Sequence, residues 1–93
     1  MEWKVEVRRL FDNYVGEFYQ NDHVVFIEHN MFWIKIERQK YSYESFVVTS
    51  SNNWDPYGEI VKGVFALLDC LKKLLDSMFD CKTEQIDLLE DVL

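Results

Sequence analysis

Four side chains have the chemistry to hold a soft metal ion or to form a nucleophile–base couple: His23, His29, Cys70 and Cys81. A zinc site would need all four to converge, and their separations match no ligand spacing. A thiol paired with an imidazole needs only residues that are present. Cys70, however, sits in a leucine-rich helical pattern, where a thiol behaves as a small hydrophobe. Gly16, Gly58 and Gly63 stand apart from one another, so no glycine loop cradles a phosphate. No nucleophile elbow and no Cys-x-x-Cys occurs. Seventeen acidic residues make any carboxylate pair uninformative, because most surface acids are simply solvated. The expectation is a protein that is not an enzyme and that uses no metal or cofactor.

The chemistry that remains is that of recognition. The chain carries a formal charge of −7, with six basic and eight acidic side chains before Val47 and four and nine from there on. Asp69, Asp76, Asp80, Glu84, Asp87, Glu90 and Asp91 form an acidic set that either wets two amphipathic helices or imitates spaced phosphates. Such a balance repels nucleic acid and anionic membrane and favours a basic protein surface. Aromatics make up 16% of the chain. Trp33, Tyr41, Tyr43, Trp54 and Tyr57 fall on strand positions or loop edges that a single core need not cover. Tyrosine and tryptophan are the types that anchor interfaces.

The chain that must position these groups has 93 residues, enough for one core and too few for two. The expectation is a single domain over 1–93. Apolar residues amount to 48%, which excludes a disordered acidic tail. Met1–Arg9 alternates charge with hydrophobe and lacks the apolar core of an export signal. No apolar run approaches the ~20 residues of a membrane span. Cys70 and Cys81 therefore read as reduced thiols in a cytoplasmic protein.

Trp3, Val7, Leu10, Phe11, Tyr14, Val15 and Phe18 recur at helical spacing, predicting a helix over 3–18. A rival reading pairs strands Trp3–Leu10 and Tyr14–Tyr19 across Asp12-Asn13. His23–His29 and Phe32–Arg38, rich in β-branched and aromatic residues around Asn30-Met31, predict a hairpin. Ile34 and Ile36 share one face with Phe32, and Trp33, Lys35 and Glu37 share the other. Tyr41–Thr49 predicts a third strand. Asp55-Pro56 has the form of an N-cap followed by proline at the first helical position. From there Val61, Val64, Leu68, Leu71, Leu75 and Met78 mark a helix of about 24 residues, roughly 36 Å long. The stripe fits core packing, or the seam of a homodimer through Val61, Leu68, Leu71 and Leu75. A last amphipathic helix is expected over 84–93. The fold class is α+β, a three-stranded antiparallel sheet packed by helices in the order α-β-β-β-α-α.

The α-β-β-β-α order is also that of the double-stranded-RNA-binding domain, which grips phosphates with lysines at the start of its second helix. Here that stretch is Asp55-Pro56-Tyr57-Gly58-Glu59-Ile60, which is acidic. In size, charge and layout the chain looks more like small phage-encoded inhibitors, especially anti-CRISPR proteins, without sharing a motif with them. That resemblance implies a DNA-mimicking inhibitor acting on a guide-RNA nuclease in the host cytoplasm. A toxin-neutralising immunity protein would share the size, acidity and aromatic excess. The expected function is masking of a partner's basic, nucleic-acid-binding surface. Asp76, Asp80, Glu84, Asp87, Glu90 and Asp91 would supply charge, and Trp33, Tyr41, Tyr43 and Trp54 the anchors.

Overall fold

A computed structural model describes residues 2–40, 44–52 and 58–82. Helix α1 spans Trp3–Phe11 and turns Trp3, Val7 and Phe11 into the core. It stops well short of Phe18. The Asp12 N–H closes onto the Arg8 and Leu10 carbonyls, and the Asn13 side-chain amide donates to the Leu10 carbonyl at 3.2 Å. Those bonds satisfy the last helical acceptors and release the chain. Five antiparallel strands follow: β1 Glu17–Gln20, β2 Val24–His29, β3 Phe32–Arg38, β4 Ser45–Ser50 and β5 Glu59–Lys62, each beside its sequence neighbours. Helix α2, Val64–Met78, closes the described fold.

The α+β class holds, but the expected three-stranded sheet is corrected to five strands in the order α-β-β-β-β-β-α. The helix predicted over 3–18 divides into α1 and β1. Phe18 continues the apolar spacing from a strand instead of a helix, with its ring 5.8 Å from that of Phe11. Tyr14 is buried through an isolated bridge to Cys81. The long helix starts at Val64, nine residues later than Asp55, because Glu59–Lys62 pairs with β4. Gly58 at φ 76° and Gly63 at φ 86° bracket that strand, in conformations that side-chain-bearing residues avoid. The Asp55-Pro56 start and the helix expected over 84–93 lie outside the described residues.

The hairpin between β2 and β3 is as expected, with Asn30 at φ 56° in its two-residue turn. Alternation along the strands then sorts the side chains. Val25, Ile27, Ile34, Ile36, Phe46 and Val48 turn inward and are fully buried against both helices. Trp3 sets its ring 5.1 Å from Phe46, and Phe79 meets Phe11 edge-on at 6.4 Å. Leu67, Leu71 and Leu75 are completely buried in the same cluster. The leucine stripe is therefore core, and a seam between copies through Leu71 and Leu75 is ruled out by their burial. Among the described residues, no helix is long and apolar enough to cross a membrane.

Candidate protein-docking face

The opposite face of the sheet has no layer over it among the described residues, since both helices pack on the inner face. The strand register assembles its side chains into rows. Glu17 stands opposite Glu28, and Glu28 opposite Trp33. One step along, Tyr19 stands opposite Phe26, and Phe26 opposite Lys35. Val47 and Ile60 are paired at the β4–β5 side. Tyr19 is 53% exposed and Ile60 60% exposed, high values for large apolar side chains on a sheet.

Trp33 and Phe26 are diagonal neighbours and stack, with centroids 6.0 Å apart and planes inclined by 22°. Ser51 holds this end of β3 in place: its N–H donates to the Trp33 carbonyl at 3.0 Å, and its hydroxyl accepts from the Trp33 N–H at 3.1 Å. The indole is therefore a half-buried, pre-positioned ring rather than a loose side chain.

Beside it lies an electrostatic conflict. Glu17 and Glu28 are cross-strand partners on the same face, and like charges at directly opposed positions destabilise a sheet. Among the described residues, His29 lies beside Glu17, with its Nδ1 4.0 Å from the carboxylate, and Lys35 is the diagonal same-face neighbour of Glu28. Glu37 is partly answered by Lys35 at 3.6 Å. Two glutamates in register with a tryptophan on one sheet face offer a seat for a planar cation, which could pair with the acids and stack on the ring.

Among the described residues singled out from the sequence, Trp33 belongs to this face and Asp69, Asp76 and Asp80 do not. Asp76 lies on the far side of the sheet, on α2, where its carboxylate accepts from the Tyr14 hydroxyl at 2.5 Å and from Lys72 Nζ at 3.1 Å. The Tyr14 bond, then the Lys72 bond, hold Asp76 below the usual carboxylate range. Burial, reinforced by Asp76, pushes the Tyr14 phenol up. Asp69 pairs with Lys73 at 3.4 Å. Asp80 is exposed beyond the end of α2, and its carbonyl accepts from the Val15 N–H. Glu84, Asp87, Glu90, Asp91, Tyr41, Tyr43 and Trp54 lie outside the described residues. Asp76 and Trp33 are therefore not brought together.

The soft side chains are dispersed as well. His23 precedes β2 and His29 ends it, Cys81 bridges Tyr14, and Cys70 sits on α2. The Cys70 thiol donates to Glu59 Oε2 at 3.6 Å, and burial, then the Glu59 charge, raise its pKa to about 11. Such a thiol is a poor nucleophile.

Glu17, Tyr19, Phe26 and Glu28 are hard to find from the sequence, because Glu17 falls inside the helix predicted over 3–18 and Tyr19 just beyond its end, which hides the strand that pairs with β2. The alternation in Val24–Glu28 already hinted that Phe26 and Glu28 share an outer face. The chain matches no protein-family model, no curated protein and no solved structure.

Proposed function

We propose that this chain is a non-catalytic inhibitory protein whose open sheet face docks on, and masks, a basic nucleic-acid-binding surface of a partner protein. The observation that carries the reading is the Glu17–Glu28–Trp33 row. An arginine on the partner relieves the repulsion between the two carboxylates by bidentate pairing and stacks its guanidinium on the indole. Surfaces that bind nucleic acid are rich in arginine, which makes them the fitting counterpart. Tyr19, Phe26 and Ile60 extend the contact as apolar area around that centre. The overall charge of −7 speeds encounter with such a surface and makes it salt-dependent. Glu84, Asp87, Glu90 and Asp91 add to that long-range attraction.

The test uses two short peptides of equal length and charge, one of arginine and one of lysine, titrated into the protein and followed by amide chemical shifts. The arginine peptide is expected to bind more tightly, with shifts centred on Glu17, Glu28 and Trp33. Trp33→Ala removes the preference for arginine and Glu28→Lys removes binding. Proteins captured from host lysate should be displaced by added DNA or RNA. Equal affinity for the two peptides, unchanged by both variants, would end this reading.

A further inference from the structure

We propose that a second copy of this chain docks edge to edge on β5, so that two five-stranded sheets continue into one. The direction of the β5 backbone groups follows from one bond: the Gly63 N–H donates to the Glu44 carbonyl at 2.6 Å. In an antiparallel pair, successive residues turn their N–H and C=O groups alternately to one side and the other. Glu59 and Val61 therefore pair with β4, and Ile60 and Lys62 direct both groups away from the sheet. Among the described residues, β5 ends the sheet order, so that row of donors and acceptors is a template for another strand.

Charge identifies the occupant. With −7 on each chain, contact between arbitrary faces of two copies is repulsive. The flank at β5 is less acidic than the chain as a whole, because Asp69 is paired with Lys73 at 3.4 Å and Lys62 lies on the same strand as Glu59. A two-fold contact places one patch against itself and so is least opposed where acids are answered by neighbouring bases. Beside the edge runs a groove of about 250 Å³, with Val61, Ala66, Cys70 and Leu74 as its apolar lining. Phe65, 78% exposed, projects from the first turn of α2 next to the groove residue Ala66. At the other sheet edge, β1, the Arg8 guanidinium lies 4.8 Å from the centre of the inward Phe18 ring.

The axis must stand perpendicular to the sheet to keep both helical layers on one side. Residues that meet across it then share a face. The register with Ile60 opposite the partner's Lys62 exchanges N–H and C=O groups at two such pairs and puts Val61 opposite the partner's Val61 on the axis. Shifting the strands so that Ile60 meets the partner's Ile60 leaves one exchanging pair, because Gly58 at φ 76° departs from the strand. The Glu17–Glu28–Trp33 row remains open in this dimer, and the two readings share only Ile60, at the rim of the docking face.

The test is sedimentation of the full chain from micromolar to millimolar concentration, with two variants at an exposed position. Ile60→Lys sets like charges against the partner's Lys62 twice and raises the dimer Kd about tenfold or more. Ile60→Glu sets opposite charges there and is expected to dimerise more tightly than Ile60→Lys, with an affinity that falls as salt rises. Val61→Cys, in a non-hydrogen-bonded pair on the axis, is expected to form an intermolecular disulfide in air that the wild-type chain does not form. A strict monomer over the whole range overturns the proposal. So does a dimer to which lysine and glutamate at position 60 are equivalent, or growth beyond two copies, which would mean β5 meeting β1.

Discussion

Tyr14 joins three parts of the molecule, and removing one oxygen from it gives a sharp prediction. Its ring is buried, its main chain pairs with Cys81, and its hydroxyl bonds to Asp76 and Lys72. Tyr14→Phe keeps the ring and deletes only the hydroxyl. A hydrogen bond to a charged group contributes up to about 3 kcal/mol when its loss strands a buried partner. Here Asp76 and Lys72 are solvent-exposed and remain paired with each other at 3.1 Å, so no group is stranded. The expected cost is about 0.5–1.5 kcal/mol, or roughly 3–10 °C in Tm for a domain of this size. The pH dependence is more diagnostic than the size. Asp76 is held below its usual range chiefly by this hydroxyl. A carboxylate depressed in the folded state contributes its stability above the unfolded pKa of about 4 and loses it as pH falls through the lower folded value. The gap between wild type and Tyr14→Phe should therefore be constant from neutral pH to about pH 5 and narrow below about pH 4. Urea unfolding at a series of pH values measures it. A gap that widens in acid, or one above about 3 kcal/mol at neutral pH, would refute the account.

Three more outcomes follow from features already described. Glu28→Gln removes the cross-strand repulsion with Glu17 and should stabilise the free protein by roughly a few tenths of a kcal/mol while weakening arginine-peptide binding, so that Tm and affinity move in opposite directions. Gly58→Ala adds a Cβ 2.6 Å from Thr49 Cγ2 and 2.9 Å from the Val48 carbonyl at φ 76°, which should cost about 2–4 kcal/mol in thermal or urea unfolding. With its pKa near 11, Cys70 should be alkylated by iodoacetamide about 100-fold more slowly at pH 8 than a cysteine with an ordinary pKa of about 9, as followed by mass spectrometry.

The sequence made the centre of the sheet legible and concealed its edges. Strands β2 and β3 are long enough to show alternation, and their inward set of Val25, Ile27, Ile34 and Ile36 follows from it directly. Strands β1 and β5 have four residues each, too few for a period to declare itself. Each also adjoins a genuine helix, so Phe18 and Val61 extended a stripe that α1 and α2 had already established. The strongest helix signal, Asp55-Pro56, outweighed Gly58 and Gly63, whose positive φ values delimit β5. The candidate site suffered from the same cause. Trp33 could be placed on an outer face from β3 alone, but the carboxylate pair beside it arises from the register of three strands. A missed strand removes half of that pair.

The order in which the strands lie beside one another also bears on how quickly the molecule reaches its native state. Every strand pairs only with the one before or after it in the chain. Hairpins can thus close one after another across short loops, without waiting for distant segments to find each other. The pairing of greatest sequence separation is the seam between Tyr14 and Cys81, reinforced by the Lys82 N–H on the Asn13 carbonyl, which joins positions nearly seventy residues apart, and loop-closure entropy favours its forming last. A nascent chain would hold its hairpins early and lock only when that seam is made.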